Sequence, residues 1–402
     1  MSKNKYSRYR RRKIKRTHHR LYKKKKTTGR KVAETILMIV VIGGLGFLGY
    51  CVAEPLVNYF TNSSAEPEIT PWEPADTTPA EITTTPPLTE ETTAPVEEKS
   101  GTSVYLSDSA LLSSASYGSA LLAAKNSGAS EAYLLLKDTD GYLLYSSQGS
   151  AKGTDLIKGS VSLNEIVGRA KAEGVTPVAV INTLLDNMTP GVIEGTAYRW
   201  ADDSYTWLDA AADKGGKRWV DPFKSETADY FCELIDEITS AGIKKVVLRN
   251  TIFPDFLEFD KTILDAHFFD EKARADALKK LLGLMSDTAR KNGAELFIEI
   301  NAADGFTALK SAEALFAADS SVGAVCIYNS SDFSSPKLEI SGTEITLPTN
   351  QADKIALVFS RLRPLLSGRT LVPVINDDGI TSAAVSEANE KLSSQGLYAV
   401  IK

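Results

Sequence analysis

Cysteine and histidine are scarce. Three cysteines (Cys51, Cys232 and Cys326) in 402 residues cannot build a disulfide framework. No Cys-x-x-Cys or Cys/His spacing marks a zinc site. Of the three histidines, His18 and His19 stand in a basic N-terminal stretch, leaving His267 as the one imidazole of the remainder. A multi-histidine metal site is excluded, a Ser-His-Asp triad has one possible base, and no metal or cofactor is expected. Acidic residues are missing from positions 1–31, which hold 16 Lys and Arg. Removing those from the chain's 46 cations leaves 30 against 51 Asp and Glu, a net charge of −21 beside −5 for the whole. Phosphate recognition needs a cationic face, so so acidic a remainder argues against nucleic acid as the main partner.

Charge is also missing from Thr35 to Ala53 (TILMIVVIGGLGFLGYCVA), a run of 19 residues. About 20 such residues cross a bilayer's hydrocarbon core as a helix. The basic block before the run and Glu54 after it predict a single-pass anchor over 32–53, with residues 1–31 cytoplasmic and the rest extracytoplasmic. The tail then serves as a topology determinant against anionic headgroups. A cleaved signal peptide is the competing reading; the run's length and the long charged region before it favour an anchor. Residues 54–101 hold eight of the 16 prolines among many Thr and Glu. They read as a disordered, extended linker that holds the following domain away from the membrane.

From residue 102 to 402 the chain alternates β-rich runs with amphipathic helical stretches, an α/β pattern. Strands are predicted at Ser103–Leu106, Ala132–Lys137, Pro177–Asn182, Lys245–Asn250, Glu295–Asn301, Ala324–Asn329, Thr370–Asn376 and Leu397–Ile401. Helices are predicted at Ser162–Glu173, Ser225–Ala241, Asp270–Asn292, Asn350–Leu366 and Ile380–Ser394, several stopped by glycine (Gly174, Gly242, Gly293, Gly396). Eight strands separated by helices in about 300 residues have the rhythm of a (β/α)8 TIM barrel. A doubly wound sheet usually shows a Gly-rich turn after its first strand, and Ser107-Asp108-Ser109 has none.

Barrel chemistry sits at the C-terminal strand ends. Alternation points Phe297, Glu299 and Asn301 of the fifth strand inward, with Lys245, Val247 and Arg249 of the fourth. Arg249 and Glu299 are then neighbours on adjacent strands and are predicted to form an ion pair. Two readings are open for it: a substrate-binding or acid/base element, and a salt bridge of the barrel mouth.

The stretch WVDPFKSETADYFCELIDEITSAGIKKVVLRNTIFPD (Trp219–Asp255) resembles a bacterial glycoside hydrolase domain family, a TIM barrel related to α-amylase-type enzymes. So do SVYLSDSALL (Ser103–Leu112), YLLLKDTDGYLLY (Tyr133–Tyr145), VPVINDDG (Val372–Gly379) and GLYAVIK (Gly396–Lys402). The resemblance implies a fourth strand ending in a catalytic Asp; this chain has Arg249 there. The family's following Tyr is Asn250 and its Arg is Ile252, while Phe253-Pro254 match. An inward Asp of the second strand is Leu135, a third-strand Arg is approximately Val180, and a fifth-strand Asp is Asn301. Glycosidases ordinarily need two carboxyl groups about 5–9.5 Å apart, and a cation at the first position disfavours an oxocarbenium-like transition state.

The resemblance, the tether and the aromatic excursion together give cell-envelope polysaccharide as the expected partner. The substituted positions point to a barrel that binds it without the family's chemistry, and an active hydrolase on cell-wall or capsule glycan stays open as the alternative. An active enzyme would have to recruit Glu299 as acid/base and Asp377 as the second carboxylate. Asp138 and Asp140 read instead as a turn. Arg249, Asn250, Asn301 and Tyr328 are the strand-end candidates for binding a glycan. Trp200 and Trp207, in the long excursion after the third strand, either stack on sugar rings or pack a local core, and for Trp219 the packing role leads.

Overall fold

The computed structural model describes residues 102–149, 151–340, 342–366 and 368–402. The basic tail, the apolar run Thr35–Ala53 and the Pro-rich linker lie outside them. Among the described residues no helix is long and apolar enough to cross a membrane.

Eight parallel strands close into a barrel: β1 (Thr102–Tyr105), β2 (Ala129–Lys137), β3 (Thr176–Asn182), β4 (Lys245–Arg249), β5 (Glu295–Asn301), β6 (Gly323–Tyr328), β9 (Leu371–Ile375) and β10 (Val400–Ile401). An antiparallel hairpin, β7 (Lys337–Ile340) and β8 (Thr343–Thr346), is inserted after β6. The ring runs β1-β2-β3-β4-β5-β6-β9-β10 and back to β1. All eight barrel strands coincide with the predicted runs, with ends displaced by up to three residues. β10 keeps only the last two of its five predicted ladder residues.

The long helices are α1 (Ser114–Asn126), α2 (Leu163–Glu173), α3 (Ser225–Ser240), α4 (Glu271–Lys291), α6 (Gln351–Leu365) and α7 (Ser382–Ser393), with a short α5 (Glu313–Ala317). All the long helices except α3 start on a side-chain cap. Ser162, Asp270, Asn350 and Thr381 accept from the backbone N–H three residues on, each cap contributing about 1 kcal/mol. α3 buries Phe231, Leu234, Ile235 and Ile238 at helical spacing against the strands. Gly242 then takes φ 110°, a conformation that L side chains rarely adopt. The sequence reading missed α1, whose small residues SASYGSALLAAKN bury only Tyr117, Leu121 and Ala124. Its N-terminus is fixed by a reciprocal box between Ser113 and Ser116.

The interior register decides what meets at the mouth. Val180 lies opposite Val247, and Val247 opposite Phe297. Two residues further on, the same inward rows deliver Arg249 and Glu299 at the C-terminal rim. Phe297 is accommodated because Gly323 faces it; a Cβ there would lie 2.4 Å from the ring.

Candidate functional site

Arg249 and Glu299 form the predicted ion pair. Arg249 Nε donates to Glu299 Oε1 at 2.7 Å and Nη2 to Oε2 at 3.0 Å, a bidentate fork. The Tyr105 hydroxyl donates to the same Oε2 at 3.0 Å. Glu299 is buried, its side chain 7% exposed against 13% for Arg249. Burial opposes the charge on Arg249, but Glu299 outweighs it and raises the guanidinium above its ordinary value. Burial, then the Glu299 charge, pushes the Tyr105 phenol well up. The Lys402 ammonium lies 5.1 Å from the Tyr105 ring. Desolvation lowers Lys402, with Glu299 pulling the other way.

Above this floor lies a cavity of about 320 Å³ lined by Asn250, Glu299, Asn301, Asp304, Asn329 and Asn376, among others. Asparagine recurs at the ends of five consecutive ring strands: Asn182 on β3, Asn250 after β4, Asn301 on β5, Asn329 after β6 and Asn376 after β9. They form two linked arcs. In one, Asn250 Nδ2 donates to Asn182 Oδ1 at 2.7 Å, and Asn182 Nδ2 in turn to the Leu185 carbonyl. In the other, Asn376 Nδ2 donates to Asn329 Oδ1 at 3.0 Å. Asn329 and Asn301 both donate to Asp332 Oδ2, at 3.1 and 2.8 Å. Asn250 adopts φ 52°, ending β4 one residue before the predicted boundary. Asn tolerates that left-handed turn better than most residues.

Arg249, Glu299, Asn250 and Asn301 are thus gathered as the sequence suggested. The other candidates are placed elsewhere. Asp377 is exposed in the turn after β9 and does not line the cavity. The second carboxyl of the mouth is Asp304, whose Oδ2 accepts from the Ser311 N–H at 3.2 Å and hydroxyl at 2.6 Å. Tyr328 is 1% exposed and stacked on Phe333 at 4.9 Å, so its ring packs the core. Trp207 is equally buried. Its Nε1 donates to Asp260 at 2.9 Å and its ring packs on Tyr198 and Phe256. Trp219 is 8% exposed and tied to Asp209, as the packing reading has it. Trp200 is half-buried, edge-on to Tyr205, beside a different cavity.

Asn182, Asn329 and Asn376 were not selected from sequence, although each closes a run read as a strand (PVAVIN, AVCIYN, TLVPVIN). The repeated terminal Asn was the available signal. Asp138 forms the expected turn, its Oδ1 accepting from the N–H of Asp140, Gly141 and Tyr142 at 2.8–3.0 Å. Its neighbour Lys137 has no exposed surface and pairs with an equally buried Asp186, a partner that sequence did not suggest.

The mouth can chelate a polyhydroxyl ligand: half-buried carboxamides offer both donors and acceptors without net charge. Its carboxylates are engaged. Protonating Glu299 would strand a guanidinium inside the barrel, a poor starting point for acid/base work.

Residues 103–313 match the model of a family described as a "Putative glycosyl hydrolase domain". No curated protein matches the chain. Similar solved structures include the PgaB (BpsB) glycoside hydrolase domain from Bordetella bronchiseptica, at 12% identity over 75% of this chain and 93% of that one, TM-score 0.48. The catalytic domain of β-amylase from Paenibacillus polymyxa matches at 12% over 75% and 91%, TM-score 0.42. The α-L-fucosidase isoenzyme 2 from Paenibacillus thiaminolyticus matches at 13% over 75% and 45%, TM-score 0.45.

Proposed function

Because this chain belongs to the putative glycosyl hydrolase domain family, we propose that its barrel mouth holds a cell-envelope polysaccharide without cleaving it. One observation carries the reading. Glu299, the inward carboxylate of the mouth's floor, is clamped by both arms of Arg249. A glycosidase needs one carboxyl group free to give a proton and another to stabilise positive charge at the anomeric carbon. Here the first is held as an acceptor by three donors, and a guanidinium stands beside it. Two like charges at such a distance repel, so the cation raises the barrier to an oxocarbenium-like state. The carboxamide arcs supply what binding requires and hydrolysis does not.

The reading extends to the whole chain. Residues 102–402 form the binding domain, 54–101 the spacer, 32–53 the membrane anchor and 1–31 the cytoplasmic tail. The support for these parts is the charge pattern and apolar run of the sequence.

A second reading, an active hydrolase, draws on Asp304, which lines the same cavity as Glu299. The purified full chain incubated with cell-wall and capsule glycans separates the two. Calorimetry is expected to register binding while reducing-end assays stay flat. Turnover that disappears in Glu299→Gln and in Asp304→Asn would establish the second reading.

A further inference from the structure

We propose that the excursion between β3 and β4 carries a second glycosyl site, separate from the mouth, in which Trp200 stacks on a sugar ring and the Asp221 carboxyl hydrogen-bonds a ring hydroxyl. The proposal rests on the glycan-binding reading above but on different residues. A cavity of about 530 Å³ opens between this excursion and the segment after β4, and shares no lining residue with the mouth. Its walls include Trp200, Phe223, His267 and Phe268, with Asp221 and Lys224.

Asp221 points to a ligand. It belongs to the Trp219-Val220-Asp221-Pro222 turn and has no exposed surface. Its backbone is fixed from both sides: its N–H donates to the Thr196 carbonyl at 2.8 Å, and its carbonyl accepts from the Thr227 hydroxyl at 2.7 Å. Oδ1 accepts from the Phe223 N–H at 2.9 Å, whereas Oδ2 is buried and has no partner. A buried polar atom left unpaired is costly, and a sugar hydroxyl delivered through the cavity, which can donate to the carboxylate or accept from the carboxylic acid, removes that cost.

The walls select the rest of the ligand. Trp200 is half-buried, held at its edge by Tyr205 with centroids 4.9 Å apart. His267 is wedged between Phe223 at 4.5 Å and Phe268 at 4.1 Å, giving a rigid aromatic rim. Cations and anions both line the space, and Arg199 is already paired with Asp203. No single sign of charge therefore dominates. A neutral ring with one apolar face and hydroxyl donors at its edge matches that chemistry, and such a unit is a hexose or N-acetylhexosamine residue.

The test uses the full chain labelled with 5-fluorotryptophan, its four tryptophan resonances assigned by single Trp→Phe variants. The labelled chain is titrated separately with cellohexaose and chitohexaose. The Trp200 resonance should shift with at least one of them, and should still shift in the mouth variant Asn250→Ala/Asn301→Ala. Asp221→Asn, which can keep the bond to Phe223, and Trp200→Leu should each weaken this site about tenfold while mouth binding by calorimetry is retained. A mouth that binds with a silent Trp200, or a Trp200 shift abolished by the mouth variant, would overturn the second site alone. Silence at both places would overturn it together with the glycan-binding reading.

Discussion

The Tyr105 hydroxyl hydrogen-bonds Glu299 across the full width of the barrel, 3.0 Å from Oε2. β1 and β5 stand four places apart in a ring of eight and so face each other. With Arg249 on β4 gripping the same carboxylate, three side chains from two opposite walls plug the floor of the mouth. The cation at the position that the resemblance assigns to an acid is therefore built into the barrel's closure.

Removing the cation alone should be expensive. Arg249→Leu leaves a buried carboxylate hydrogen-bonded only to the Tyr105 phenol, with the Lys402 charge nearby but not bonded to it, a loss of about 3–5 kcal/mol. Arg249→Leu/Glu299→Leu should recover most of it, because the desolvated charges disappear together. Urea midpoints of the wild type, both single variants and the double variant give the coupling; additive losses would show that the pair does not act as a unit.

A second buried pair, Lys137 with Asp186, lies outside the mouth and should behave differently. Lys137 Nζ also donates to the Asn182 carbonyl at 3.0 Å, and Asp186 Oδ1 accepts from the N–H of Met188 and Thr189, each at 2.9 Å. Lys137→Met should cost about 3–5 kcal/mol. Adding Asp186→Leu should not restore stability, since the buried Thr189 N–H then loses its acceptor and the Met188 N–H is left with the Asp140 carbonyl alone. Full recovery in the double variant would contradict the capping role.

Gly141 is the point where the turn after β2 meets Asp186. Its φ is 106°, and a Cβ would fall 1.9 Å from Asp186 Oδ1. Gly141→Ala should therefore destabilise the domain by about 2–4 kcal/mol through backbone strain and displacement of the buried pair. Gly153→Ala makes the control: its φ is also positive, 76°, but nothing lies within 4 Å of the added carbon. Thermal melts should rank Gly141→Ala well below it.

Burial pushes the Asp221 carboxyl up to about 7, against the opposing pull of the Phe223 N–H and Lys224 and with a further upward push from Asp265. The folded chain then keeps a proton that the unfolded chain releases near its ordinary value. Asp221 contributes its full stability below about pH 4 and loses it as pH rises through 7, a change of about 4 kcal/mol. Asp221→Asn should flatten this part of the profile in denaturation series from pH 4 to 8. Parallel profiles for variant and wild type would remove Asp221 from the account.

Much of the fold was written locally. AYLLLK, PVAVIN, ELFIEIN and AVCIYN are short β-rich runs bounded by turns and glycines, and most of the helices between them carry a cap, an apolar stripe or both, which need no distant partner. Alternation within two strands was enough to aim Arg249 and Glu299 at each other. Trp207 shows where such reasoning stops. Its composition suits a sugar platform and a core equally, and only the closing of the excursion over Tyr198, Phe256 and Asp260 buries it. Asp377 fails for a related reason, since the turn Asn376–Gly379 leaves it exposed in solvent while Asp304, at the start of the short helical turn Asp304–Phe306, lines the cavity.

Sequence alone determined the eight-strand rhythm, the inward rows and the presence of a cation at a position the resemblance assigns to an acid. Tertiary structure decided that Tyr105 joins that cation's pair from the opposite wall, which carboxyl shares the mouth, and that five strand-terminal asparagines become two connected arcs. The division follows from range. Periods of 2 and 3.6 residues are fixed by each segment's own backbone geometry, whereas Tyr105 and Glu299, 194 residues apart, meet only when the last strand closes the ring.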